Sequence, residues 1–437
     1  MGRVMASEHR ADHLQAIDAE AWPGVAAVPS VSVRALRARR AEAAFAAAVS
    51  RAGLRFDSFE GEEPDLTVRH AEVFDRIAAG GWIGLAEGYL AGEWETATSA
   101  GLVRVLRGLI EAKYRPKTLH LAPAAQGGAE PAALVAHYSG DGVSPFQGHF
   151  ATGVPTTERT PVKSFARGAG KRGAPARHFV DVTEYGEPLP AGRGDLADAQ
   201  SRSASMLLDA AGVTAHTHLL VQPAAGGALA IAAAQRGATV DCAVPEGVGE
   251  RMVREALVYA GAAESVRVVP AAQPAARSGY EAVVSAEYLE TLPPRRKAAY
   301  LREVEAALAP GGRAALQTIV ATESMSRTAL AALESLRAYI WPGLCFSTPT
   351  EIAQIVDRNT HLRVVAETRA PRHLERSLAL QRTTFDANLR DAAADGFDPV
   401  YRRLWTWQLA LREALAQLGM LDVAQVVLVG RHRGGRR

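Results

Sequence analysis

Residues Leu219 to Val240 read LLVQPAAGGALAIAAAQRGATV, and this stretch decides the fold. A short apolar strand enters a turn of small residues, an alanine-rich helix follows, and Gly237 leads into a second β-branched strand. That order is the opening βαβ unit of a doubly wound sheet. A turn that holds an adenosine cofactor in such a fold needs glycines where the ligand meets the backbone, free N–H groups, and usually an acid at a strand end. Here the strand ends in Val221, Gln222 and Pro223, and Ala224 and Ala225 put a Cβ where close approach wants hydrogen. Pro223 has no N–H and a fixed φ.

Working outward, helix and strand patterns alternate from Asp195 onward. Helices are expected at about 196–211, 227–235, 247–260 and 295–308, and strands at 218–221, 239–244, 266–269, 282–285, 313–319 and 424–429. This alternation predicts an α/β fold, a doubly wound, seven-stranded Rossmann-like sheet with helices on both faces, preceded by a small mixed N-terminal domain. The expected domains are 1–115, a Gly/Pro-rich linker over 116–192, and the α/β domain over 193–437. Residues 33–52 read as a helix with Leu36, Phe45 and Val49 on one side and a basic edge at Arg34, Arg37, Arg39 and Arg40. The linker carries a basic run at Lys163, Arg167, Lys171, Arg172 and Arg177. Both charge runs are read first as solvated surface, with acidic lipid headgroups as the alternative partner.

With 437 residues and 48% hydrophobic content, the chain can bury a large core. A formal charge of +2 gives no global field for nucleic acid, and no such partner is expected. Cys242 and Cys345 stand far apart without metal-ligand spacing, so neither a disulfide framework nor a metal site is expected. The N-terminal residues are charged throughout and no run of ~20 apolar residues occurs. The expected location is cytoplasmic, with membrane contact, if any, peripheral at the inner face.

Three further stretches carry a resemblance. They are GLAEGYLAGEW at 84–94, EAVVSAEYLETLPPRRKAAYLREVEAALAPGGRAALQTI at 281–319, and FDPVYRRLWTWQLALREALAQLGMLDVAQVVLV at 397–429. Together, in this order and spacing, they resemble the cyclopropane-fatty-acid synthase and mycolic-acid cyclopropane synthase family. The resemblance implies a class I methyltransferase fold, S-adenosylmethionine as cofactor, and unsaturated acyl chains of phospholipids or fatty acids as substrate. It further implies a bicarbonate ion acting as base at the active site, and it permits a dimer.

The same register places the family's site positions on this chain. Glu290 matches the family's active-site acid, and Gln317 stands where the family has histidine before its Thr-Ile pair. Ala224 stands at a cysteine position and Leu374 at a tyrosine position. His137-Tyr138-Ser139 corresponds to the substrate-side His-Tyr-Asp motif, which assigns His137 and Tyr138 to substrate binding. The cofactor glycines reduce to Gly227, with Gly226 available to a shifted loop and Glu246 as a replacement acid; Ala272 replaces the acid that would face the adenine. The resulting expectation is a non-catalytic relative that binds no cofactor and works by holding an acyl lipid or by pairing with an active paralogous lipid methyltransferase. The alternative is an active S-adenosylmethionine-dependent methyltransferase with an atypical cofactor loop and Glu290 as base.

Overall fold

The computed structural model describes residues 11–29, 34–56, 63–116, 131–171, 175–224, 226–245, 247–271 and 279–431. Their contacts form two units. The first comprises Met1–Ala129, Ser326–Pro342 and Leu389–Ala414; the second comprises Glu130–Met325, Gly343–Asn388 and Leu415–Arg437.

In the first unit, helices Glu72–Gly80 and Trp82–Ala91 follow one another across Gly81, whose φ of 62° reverses the chain. A Cβ on Gly84 would lie 1.9 Å from the carbonyl oxygen of Arg76, so only glycine lets these helices touch backbone to backbone. Strands β1 (Thr67–Val68) and β2 (Trp94–Glu95) pair beside them. The stretch at 84–94 is therefore architectural. Trp94 Nε1 donates to the Leu85 carbonyl at 2.8 Å, and Tyr339 donates its hydroxyl to Glu87 at 2.6 Å. Glu93 receives the Arg76 Nε at 2.9 Å, while the other Arg76 nitrogens donate to the carbonyls of Gly24, Val25 and Ala27. Arg76 and Glu93 are both fully buried. Desolvation pushes the Glu87 carboxyl up to about 7, which keeps it a partner rather than a second buried charge beside Glu93.

The second unit is built on one nine-stranded sheet. Its strands are β3 (Thr156–Lys163), β4 (Arg177–Glu184), β5 (His218–Val221), β6 (Thr239–Val244), β7 (Val266–Pro270), β8 (Tyr280–Ala286), β9 (Leu308–Ala321), β10 (Leu362–Arg369) and β11 (Leu421–Gly430). They lie in the order β3-β4-β10-β11-β9-β8-β5-β6-β7. Strands β5 to β9 run parallel to one another, and β11 inserts antiparallel between β9 and β10. Residues alternate between two apolar layers, as strands covered on both faces require. Leu219, Val221, Val240 and Val284 face helices Leu196–Ala211, Ala228–Gln235 and Val248–Tyr259. Leu220, Ala243, Val283 and Leu316 face helices Pro294–Ala307 and Pro349–Asn359.

The doubly wound expectation holds, and the sheet is larger than the seven strands expected. The added strands come from the segment read as a linker over 116–192, which holds helix Ala132–Tyr138 and the antiparallel β3–β4 hairpin. Strand β4 pairs in parallel with β10, so the hairpin extends the main sheet. Strand β3 buries none of its residues and β4 buries only His178 and Val180, so a composition that looks like linker suffices to build them. Segments 326–342 and 389–414 fall in the first unit instead of the α/β domain, because side chains such as Tyr339 and Trp407 pack with the N-terminal helices. No helix among the described residues is long and apolar enough to cross a membrane.

Replacing Arg76 by Ala leaves Glu93 buried and without its main partner. The expected loss is about 3–5 kcal/mol of unfolding free energy. A urea titration reads it directly, and an unchanged midpoint contradicts this account of the first unit.

Candidate active site

In an open α/β sheet, ligands sit beyond the carboxyl ends of the strands, where the winding direction reverses. That point lies between β5 and β8, the two parallel neighbours from which the chain winds outward on either side. The turn after β5 is closed on itself. Gln222 N–H donates to the Val284 carbonyl at 3.0 Å and Ala224 N–H to the Ala243 carbonyl at 2.8 Å, with Pro223 between them. Tyr300 donates its hydroxyl to the Gln222 carbonyl at 2.8 Å. Gly226 has a φ of 66°, and a Cβ there would lie 2.0 Å from the Val143 carbonyl oxygen. Its lack of a side chain thus serves contact with the protein's own backbone. Gly227 is the N-cap of helix Ala228–Gln235. Glu246, Ala225 and Ala272 lie outside the described residues. The described part of this turn offers S-adenosylmethionine neither a strand-end acid nor the N–H groups of residues 222 to 224, so it does not fit that cofactor in the usual manner.

Beyond β8 the chain makes a single turn, Leu289–Thr291, that buries Glu290 to 3% exposure. The Ile319 N–H donates to one carboxyl oxygen at 3.0 Å and the Thr318 hydroxyl to the other at 2.8 Å. Burial, with the nearby charge of Glu287, pushes this carboxyl up to about 7 against the pull of those hydrogen bonds. The fold therefore binds this proton more tightly than the unfolded chain does. Its stabilising contribution is full below the ordinary carboxyl value of 4.5 and is lost as pH rises through about 7.

Gln317 precedes Thr318 on β9, and period two turns it to the other face of the sheet. The register thus brings Glu290 to Thr318 and Ile319 rather than to the Gln317 side chain. Gln317 joins a second buried network. It accepts from Ser203 Oγ at 2.7 Å and Gln425 Nε2 at 2.9 Å, and donates to Glu287 at 3.0 Å and to the Gln147 carbonyl at 3.2 Å. Glu287 also accepts from the Gln147 N–H at 2.7 Å. It has a φ of 54°, a conformation uncommon for a side-chain-bearing residue and concentrated at functional sites. Sequence reasoning passed over Glu287. The signal available was an acid at a strand's carboxyl end, three residues before Glu290.

His149 was also missed, and a lone histidine in a Gly-rich stretch gives little reason to select it. It is 5% exposed, and neither ring nitrogen has a hydrogen-bond partner among the described residues. Burial, reinforced by His373 and Arg202, pulls its pKa down to about 3, so the imidazole is neutral. Its ring lies 4.3 Å from those of Tyr185 and His373. A cavity of about 10 Å³, lined by His149, Ser203, Gln317 and Gln425 among others, adjoins the network. That volume admits one water-sized group.

The remaining expected positions are placed as follows. His137 and Tyr138 are buried on helix Ala132–Tyr138, where the His137 carbonyl accepts from Asn388 Nδ2 at 3.1 Å. That helix packs on helices Val248–Tyr259 and His373–Ala387. Leu374 is buried at the start of the latter. Asp241 lies on β6. It is buried, receives Arg267 and the Tyr280 hydroxyl, and is held below the usual carboxylate range by those hydrogen bonds despite its burial.

Residues 191–426, more than half of the chain, match the family model described as mycolic acid cyclopropane synthetase. The tuberculostearic acid methyltransferase UfaA1 of Mycobacterium tuberculosis (strain ATCC 25618 / H37Rv) is 28% identical over 436 residues, spanning 95% of this chain and 96% of that protein. Among solved structures, the cyclopropane synthase MmaA2 from Mycobacterium tuberculosis aligns at 21% identity and a TM-score of 0.48, covering 53% of this chain and 85% of its own. The mycolic acid cyclopropane synthase CmaA1, complexed with SAH and CTAB, aligns at 19% identity and the same TM-score and coverage.

Thr318→Val removes a hydrogen bond that favours the ionised form of Glu290. The titration midpoint of that carboxyl should move upward from about 7. The carboxyl infrared band, followed against pH, checks this, and an unmoved midpoint contradicts the assignment of Thr318 as its donor.

Proposed function

This chain belongs to the mycolic acid cyclopropane synthetase family, and we propose that it modifies unsaturated acyl chains of lipids as an S-adenosylmethionine-dependent methyltransferase with an unconventional cofactor turn. The observation that carries the reading is Glu290, a fully buried carboxyl at the switch-point end of β8, pushed up to about 7 and oriented by Thr318 and Ile319. The full-length likeness to a fatty-acid methyltransferase supports it. When bound, the cofactor supplies an electrophilic methyl group. The residues of the chain itself have three tasks: keep water from the acyl chain, hold it, and accept the proton that the alkylated chain must lose. Glu290 takes the third task in its ionised form, because a carboxylate accepts a proton where glutamine, leucine and alanine do not. Gly226, Gly227 and Glu246 are the proposed cofactor contacts, and His137 and Tyr138 the proposed substrate contacts.

A second reading has a specific observation behind it. The N–H groups of Gln222 and Ala224 are engaged by protein carbonyls and Pro223 has none, which favours a non-catalytic protein that holds an acyl lipid or accompanies an active lipid methyltransferase. The test is transfer of a labelled methyl group from S-adenosylmethionine to mono-unsaturated phospholipid. Under the first reading the wild type transfers label, its rate rises with pH through about 7, and Glu290→Gln loses on the order of a hundredfold or more. A wild type that transfers no label, yet copurifies with acyl lipid, overturns the first reading in favour of the second.

A further inference from the structure

We propose that the outer face of the β3–β4 hairpin docks on an anionic phospholipid bilayer. In the strand register Lys163 stands opposite Arg177, Pro161 opposite Phe179, and Arg159 opposite Asp181, and all six residues are exposed. Like charges set directly across a strand pair destabilise it. No carboxylate pairs with Lys163 or Arg177 among the described residues, and an external anion would relieve that repulsion. The cation bias extends beyond the strands: from Arg159 to Val180 the sequence holds six Lys or Arg residues and no Asp or Glu, in a chain whose overall formal charge is only +2. Arg167 and Lys171 in the connecting loop are exposed as well.

The face is apolar at its centre. Phe179 is 55% exposed, and the Arg159 guanidinium lies 5.0 Å above its ring. Basic charge around an exposed ring suits the interface of a bilayer, where charges meet phosphates and the ring reaches the acyl boundary. Other occupants fit less well. Strand β3 is an edge, but Pro161 lacks an N–H and the flanking cations oppose strand addition, so neither another sheet nor a second copy pairs there. A single-stranded nucleic acid uses several open aromatic rings as stacking platforms, and Phe179 is the one ring among these six residues. The proposal holds for a catalytic and a non-catalytic protein alike.

Flotation of the full chain with phosphatidylglycerol–phosphatidylcholine vesicles tests it, with phosphatidylcholine vesicles alone as comparison. Binding should require the anionic lipid and fade as added salt shortens the screening length. Replacing Lys163, Arg167, Lys171 and Arg177 by Gln should lower the partition coefficient by roughly six hundredfold, since each cation near the surface contributes roughly fivefold. Lys163→Gln with Arg177→Gln alone should give about twenty-fivefold, and Phe179→Ser a several-fold loss at constant salt. Replacing Arg37, Arg39 and Arg40, the basic edge of helix Arg34–Arg51, by Gln should leave binding unchanged. The proposal fails if the wild type does not float, floats equally with neutral vesicles, or binds a single-stranded oligonucleotide in preference to vesicles. It also fails if the hairpin variants retain full binding, or if the helix variant loses as much as they do.

Discussion

Strand β9 is hydrogen-bonded along both edges, to β8 on one side and β11 on the other, so its side chains have only the two faces of the sheet to enter. That constraint organises the chemistry of the α/β unit. Thr318 and the Ile319 N–H meet the Glu290 carboxyl, while Gln317 enters the network of Glu287, Gln147, Ser203 and Gln425. A shift of one residue in the pairing would exchange the two faces and leave both acids without their donors.

The two acids illustrate how burial and hydrogen bonding divide the work. Moving a carboxylate out of water costs several kcal/mol, and hydrogen bonds to a charged group each return about 1.5–3 kcal/mol. Two donors at Glu290 do not fully offset full burial and the neighbouring charge of Glu287, so its proton is held to about 7. A carboxyl in that state exchanges its proton near neutral pH, as proton-transfer chemistry requires. The first unit uses the same physics for structure alone. Glu87 is likewise held to about 7, but its proton sits beside the Arg76–Glu93 pair, in a motif whose glycines exist to let helices touch.

What could be read from the sequence followed from local pattern. The alternation of apolar runs with helical periods from Asp195 onward placed β5 to β9 and β11, because the interior strands are covered on both faces and even the edge strand β7 is mostly β-branched. Glu290 was singled out through its motif, and its burial was not legible there. The β3–β4 hairpin was not, since an edge hairpin that buries His178 and Val180 alone needs no apolar pattern. Glu287 and His149 were missed for a different reason. Their significance lies in a backbone conformation and in orphaned ring nitrogens, and both arise from tertiary contacts that residue spacing does not encode. The same holds for residues 326–342 and 389–414, whose place with the N-terminal helices rests on pairs such as Tyr339 with Glu87.

The central claim, that an unconventional turn after β5 still serves a cofactor, comes down to binding. Isothermal titration of the full chain with S-adenosylhomocysteine tests it without depending on the choice of lipid. The account predicts saturable binding in the micromolar range. A flat titration, at protein concentrations where micromolar affinity would be visible, contradicts it and leaves a lipid-handling protein whose closed turn has abandoned the cofactor.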